Sequence, residues 1–437
     1  MGSATNVAIP SIQTDFHLDA IVLAWIPTSY LLSCAVFLVP FGKLADIHGR
    51  RRIFTYGIWV FTISSIMSAA SVTQSMLIAS RIIQGLGSAM IFVTGLAIVT
   101  SVFPPNERGR AIGMTVASVY IGLSVGPALG GLLTHHFTWR SVFIATVPLG
   151  FATIYLAMWK LKGEWAEAKG ERLDITGSIL YGAAIVLIMY GLSALGENLG
   201  LATLALGLPL LGAFVWWESR INYPVFNLNL FASNRTFAFS SLAALINYSA
   251  TFAVTFMLSL YLQFIRGMTP HAAGLILIAQ PVMMAFFSPV AGRLSDSIEP
   301  RIIASTGMAM TAAGLLVMSL ITAETDLWLI TCDLLLLGLG FALFSSPNMN
   351  AIMGSVEKRY YGTASGTVAS MRLLGNMLSM GIATLTISIF IGPVQIKPQH
   401  FDSLLRSIKT AFIVFSLLCM AGIMASLARG RLRPESD

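Results

Sequence analysis

Thirteen long stretches of this chain carry almost no charge, and that decides what it can fold into. They run over 24–42, 53–71, 76–101, 111–133, 141–160, 175–195, 199–217, 237–264, 271–292, 302–322, 327–347, 363–391 and 409–428. A helix needs about 20 apolar residues to cross a bilayer, and each run is close to that length or longer. In lipid every backbone N–H and C=O must be satisfied within the chain, which leaves helices or a closed barrel. Barrel strands would alternate over short segments, whereas these runs are unbroken, so the pattern predicts an all-α polytopic membrane protein. Only 10% of the residues are charged, against about 25% in soluble domains.

The charges are sorted by side. Nineteen of the 26 Lys and Arg residues fall on alternate loops that share one face: Lys43 and Arg50 to Arg52, the 160–172 segment, and the loops near 108, 220–235, 293–301, 358 and 429–433. Five (Arg140, Arg266, Lys397, Arg406 and Lys409) fall on the other, and Arg81 and Arg372 lie within spans. The net charge of +7 therefore reads as a cytoplasmic excess of Lys and Arg, not as a nucleic-acid surface. A multi-pass plasma-membrane protein with a cytoplasmic C-terminus is expected. The stretch MGSATNVAIP is too short to span and lacks a basic n-region, so no cleavable signal is expected. If it is the tail of one more helix, the total is fourteen, with helix 1 incomplete. Cys34, Cys332 and Cys419 are widely spaced within apolar runs, and suit core packing rather than a metal site or disulfide framework.

GKLAD at 42–46 recurs as GRLSD at 292–296, an offset of 250 that also matches Arg51 to Arg301. Both copies end a helix on the basic face. Two homologous halves explain this, the parallel-repeat arrangement of large secondary transporters, whose sites lie between the halves near the midplane. The expected domains are a six-helix half over 1–160, a linker with two inserted helices over 161–235, and a second six-helix half over 236–437.

These residues together resemble the major facilitator superfamily, and within it the fourteen-helix drug:proton antiporters. GKLADIHGRRR fits the loop motif between helices 2 and 3, and MLIASRIIQGLGSA (76–89) the helix 4 motif with its membrane arginine, Arg81. GLSVGPALGG (122–131) fits the antiporter motif of helix 5, ATNVAIP (4–10) the tail of the helix 1 motif, and WRSVFIATVPLG (139–150) the same branch. The resemblance implies a major facilitator fold, export in exchange for protons, a role for Arg81 in proton transfer, and a helix 5 bend at the interface of the halves formed by Gly122, Gly126, Pro127, Gly130 and Gly131. It also implies a cytoplasmic gate at Gly42, Asp46, Arg50 and Arg51, repeated at Gly292 and Asp296. In that branch an acid precedes the Asn-Val-Ala of helix 1; aligned on Asn6 it falls near Met1, where no acid stands.

The individual candidates each carry a plainer reading. The small residues of 122–131 also suit simple close packing of helices. Arg81, with Gln84 one turn on, is either a functional pair or a structural one. Asp333 is the only acid deep in a span; it is a candidate proton carrier with Arg81, or a rim residue. Arg372 either pairs with Asp333, holds an anionic ligand, or snorkels. Tyr30, Asn247, Tyr248, Gln280 and Asn376 are candidates for a substrate cavity or for helix–helix hydrogen bonds, while Trp25 and Gln263 have weaker claims. The sequence contains no phosphate-cradling loop, nucleophile elbow, zinc spacing or dinucleotide fingerprint, so no enzyme, metal or cofactor is expected and an ion gradient is the energy source. The expected function is proton-coupled export of an amphipathic or cationic organic compound by a monomer, with a small solute, protons and lipid as partners. A proton-coupled importer on the same fold, or a non-transporting membrane scaffold or sensor, are the rivals.

Overall fold

The structure is a computed structural model that describes residues 2–103, 108–166, 168–194, 198–221, 229–356 and 361–430. The side chains of Arg108, Arg110, Asp296, Lys358, Arg359, Arg431 and Arg433 lie outside what is described.

The apolar runs become helices one for one. The first half holds α1 (Gly2–Phe16), α2 (Ala20–His48), α3 (Arg50–Ala69), α4 (Gln74–Val102), α5 (Arg108–His136), and α6 (Trp139–Ile144) continued by α7 (Thr146–Lys160). The inserted pair is α8 (Ile175–Ser193) and α9 (Asn198–Glu218). After a short α10 (Asn229–Ser233), the second half runs through α11 (Arg235–Thr251), α12 (Val254–Leu260) with a wider π turn over Tyr261–Ile265, and α13 (Pro270–Leu277) continued by α14 (Ala279–Ser297). It closes with α15 (Pro300–Met318), α16 (Leu327–Gly354), α17 (Tyr361–Phe390) and α18 (Phe401–Ala428). Eleven of these units, continued helices counted once, are long and apolar enough to cross a membrane among the described residues.

Several starts are set by side chains that the sequence places just before an apolar run. Asp19, Asp174 and Asn234 accept from backbone N–H groups three residues on, at 2.7, 3.0 and 2.9 Å, and Thr73 and Thr269 do the same. The spans differ from expectation mainly at their ends. The short N-terminal fragment does not stop at Pro10 but runs to Phe16. The last span starts at Phe401, not 409, so Arg406 and Lys409 lie on its first turns rather than in a loop. The 237–264 run breaks near Phe252, and the amide N–H of Ala253 donates to Ser379 Oγ at 2.9 Å, satisfying a group that lipid would leave orphaned.

In the first half α4 packs between α2 and α3; in the second α16 packs between α14 and α15, the same arrangement at the 250-residue offset. Two seams join the halves. At one, α5 lies against α13 and α14 and also carries α1; at the other, α2 lies against α17. The inserted pair covers this second seam: Leu32, Ala35, Tyr181, Ile185, Met189 and Met377 form one buried cluster, and Tyr181 OH donates to Ala35 O at 3.2 Å. The largest apolar cluster draws on both halves at the ends of the helices away from the basic face, with Val7, Ile12, Phe256, Leu260, Met318 and Phe415 all buried in it. Those ends are sealed together.

Candidate functional site

Arg81 stands two turns into α4 and is 1% exposed. Its Nε donates to Ile26 O at 3.3 Å, a second nitrogen donates to Gln84 Oε1, and the guanidinium lies 4.3 Å from the centre of the Tyr30 ring. Gln84 in turn donates to Ser65 Oγ at 2.7 Å, and Tyr30 OH donates to Ser88 Oγ at 2.8 Å. A buried charge is served here by dipoles and a ring face, with no carboxylate among the described residues. Three sequence candidates, Arg81, Gln84 and Tyr30, are thus brought into one group. The GLGSA stretch permits it: a side chain on Gly85 would strike Tyr30 O, and one on Gly87 would come within 2.7 Å of Phe61 N.

The second-half candidates do not gather in the same way. Asp333 lies between α16 and α15, where a β-carbon on Gly314 would sit 3.1 Å from its Oδ1. Its Oδ2 is buried without a hydrogen-bond partner. No ion pair joins Asp333 to Arg81 or to Arg372 among the described residues. Arg372 on α17 instead faces the Tyr248 ring of α11 at 5.4 Å, and Tyr248 stands edge-on to Phe341 of α16 at 5.5 Å. Asn376, one turn beyond Arg372, has a buried Oδ1 without a partner, and Asn247 has neither amide atom bonded. Gln280 is buried on α14 and its backbone C=O abuts Gly338. Trp25 packs at the margin of the cluster against α8. Gln263 ties the halves together: its Nε2 donates to Val7 O at 2.9 Å, beside Ser259 Oγ donating to Asn6 O at 2.8 Å.

The glycines of α5 let backbones meet. A β-carbon on Gly130 would lie 2.7 Å from Ala4 Cα, one on Gly126 would strike Ser3 Oγ, and one on Gly131 would strike Pro270 O. Reciprocally, Gly274 of α13 admits Pro127 O. Gly122 alone meets nothing within 4 Å.

At the basic face Gly49, at φ +112°, turns the chain sharply from α2 to α3. The turn lets Arg50 fold back on Asp46, with Nε and Nη2 both 2.9 Å from Oδ1, while Nη1 donates to Ser101 Oγ of α4 at 2.8 Å. A side chain on Gly42 would press on Val93 at 3.0 Å, and one on Gly292 only reaches Ser346 at 3.8 Å. In the second copy Asn350 of α16 donates to Ser295 Oγ at 2.6 Å, so α16 meets the end of α14 there.

The chain as a whole matches the family model described as Major Facilitator Superfamily over residues 1–221 and 240–437. It belongs to the Major Facilitator Superfamily. The riboflavin transporter RibZ of Clostridioides difficile is 33% identical over 92% of this chain and 87% of that protein. The multidrug resistance protein Stp of Mycobacterium tuberculosis is 32% identical over 86% and 71%. A solved bacterial homologue of the human lysosomal transporter Spinster shares the fold at a TM-score of 0.65 and 17% identity, covering 98% of this chain and 93% of that one. The chain is thus a multi-pass membrane transporter of small organic solutes, not an enzyme.

Three features of this superfamily member were not read from its sequence. The 161–174 linker docks on the Arg50 turn: Trp165 O accepts from Arg50 N and Asp46 O accepts from Ala168 N, at 2.9 and 3.0 Å. Lys43 pairs with Glu171 at 2.5 Å, and Glu164 accepts from Arg51 N at 2.9 Å and lies 3.8 Å from the exposed Arg52. Arg429, read as a loop charge, is 1% exposed and donates to Asn348, Ser426, Ser240 and Pro300 at 2.8–3.3 Å. On the opposite face Asp15 accepts from Trp139 Nε1 at 2.9 Å and Arg140 at 2.8 Å. Those two bonds hold its carboxyl below the usual range. Only the last had a local signal, the Trp-Arg pair that opens α6.

Proposed function

We propose that this transporter is a proton-coupled exporter of amphipathic organic compounds, working by alternating access with its basic face in the cytoplasm of a plasma-membrane-bound cell. The observation that carries this reading is the α5 seam. Gly126, Gly130, Gly131 and Pro127 place the α5 backbone directly against α1 and α13, so one helix takes part in any movement of the halves. Relatives named for multidrug resistance and export favour the outward direction. Asp333 is the proposed proton carrier, because a buried carboxyl oxygen without a partner is served best when a proton sits on it. Arg81 supplies the second half of that machinery from its own site, and the Asp46–Arg50–Ser101 clasp acts as the cytoplasmic latch. Protons move the cycle only if they bind the two states differently.

The test is flux in liposomes containing the purified monomer under an imposed pH gradient. Export predicts that solute enters inside-out vesicles acidified within, and that dissipating the gradient stops it. Import on the same fold predicts the reverse flow. The mechanism fails if Asp46→Asn, Arg81→Ala and Asp333→Asn all keep wild-type proton-driven flux.

A further inference from the structure

Arg81, Arg372 and Arg429 stand buried or half-buried on helices or helix ends, and they differ in how they are served. Arg81 has Ile26 O, Gln84 and the Tyr30 ring; Arg429 has four hydrogen-bond acceptors. Arg372 has no carboxylate and no hydrogen-bond acceptor among the described residues, only the face of Tyr248. An arginine within a membrane helix without such a partner is costly to keep, and is expected to answer to something that visits it.

Its place is the junction of the halves. Leu373, the next residue, packs with Cys34, Leu38 and Ala89 of α2 and α4. Tyr248 packs against the Met284–Phe341 pair of the second half, and Leu123 of α5 packs against the same pair. The guanidinium, the two aromatic rings and the unbonded Oδ1 of Asn376 one turn along therefore meet where α4, α5, α11, α16 and α17 converge. The chemistry is complementary to an aromatic ring against Tyr248, which Phe341 backs edge-on, with a negative group toward Arg372. Among the described residues no acid answers a cation there: the deep carboxylate, Asp333, is packed against Gly314 of α15.

We propose that the junction of the halves at Arg372 takes a planar aromatic organic anion, bound through Arg372 with Tyr248 as the ring contact and Phe341 backing it edge-on. This rests on the proposed function above only in that the chain moves small organic solutes by alternating access, not on the proton coupling or direction. It narrows the expected substrate class away from cations.

The probes are fluorescein, an anion, and rhodamine 123, a cation on a similar xanthene ring. Binding is read by fluorescence anisotropy on the detergent-purified protein, and exchange by counterflow in phosphatidylcholine liposomes with no pH gradient. The wild type is expected to bind and exchange fluorescein about tenfold better than rhodamine 123, or more. Arg372→Gln should remove that preference while eluting as a monodisperse peak, Arg372→Lys should restore part of it, and Arg406→Gln, a surface cation, should leave it intact. Preference for rhodamine 123, binding of neither dye, or unchanged fluorescein affinity in Arg372→Gln overturns the proposal. So does loss of fluorescein binding when phosphatidylglycerol is added, since Arg372 would then serve a lipid headgroup. Anion exchange that persists while pH-driven flux is absent would sink the proton coupling and leave this site standing.

Discussion

Arg50 shows how one residue turns a charge cluster into a joint. Its guanidinium is shared between Asp46 on its own turn and Ser101 on α4, and it is 8% exposed, so it is not an idle surface charge. Arg50→Lys loses the fork that reaches both. Flux should fall several-fold with little change in protein level, measured as dye export per unit of membrane protein; equal flux would make the cluster a plain topological anchor. Arg429 predicts a different phenotype. Arg429→Met leaves Asn348 and Ser240 without their donor in a buried setting, and should cost about 2–4 kcal/mol, seen as a lower Tm in detergent. Asp15 gives a pH signature. Its carboxyl is held below its ordinary value, so its contribution is present above the unfolded pKa near 3.9 and fades as pH falls through the folded value. Its side chain is 43% exposed, so Asp15→Asn should cost only a few tenths of a kcal/mol at neutral pH, roughly, and nothing once wild-type Asp15 is protonated. Asp46 with Arg50 was legible because the pair lies within one turn of sequence. Arg429 was not: beyond the last apolar run it looks like any loop cation, and its burial is made by α11, α15 and α16.

At the scale of elements, the helices were legible almost throughout, because twenty-residue apolar runs in lipid have one way to satisfy their backbone. Pro10 misled at one end: it lies inside α1, and the helix runs on past it to Phe16. The packing role of α5 is where sequence pattern and geometry agree most closely. Gly130→Leu would press a side chain into the backbone of α1 at Ala4, and Gly131→Leu would do the same to α13 at Pro270. Overpacking of this kind costs about 1–3 kcal/mol. Both variants should reduce flux, while Gly122→Ala, which meets open space, should not. Equal losses from all three would mean that α5 tolerates no bulk anywhere and that the seam is not special. The linker could not be read this way. A polar stretch such as KLKGEWAEAKGERLD looks like a solvated tether, and only tertiary structure sets Trp165 and Glu171 against the α2–α3 turn.

At the scale of the molecule, the two faces are closed by different means. Away from the basic face one continuous apolar core holds both halves, with Ser259 bonded to Asn6 across the seam. At the basic face the clasps lie within halves: Arg50 with Ser101 in the first, Asn350 with Ser295 in the second. The repeat was legible in the sequence as GKLAD and GRLSD, yet the asymmetry was not, because among the described residues the linker docks on the first copy alone. A chain built so should rest with its far face shut and open it only during the cycle. Ser259→Cys, placed in a background with Cys34, Cys332 and Cys419 replaced, tests this, since residue 259 is fully buried. A membrane-impermeant thiol reagent applied to that face should label it slowly at rest, and several-fold faster during turnover with solute and a pH gradient. Fast labelling at rest would mean that the apolar core opens by itself. A rate that never changes would mean that the halves do not part there, and that solute passes by another route.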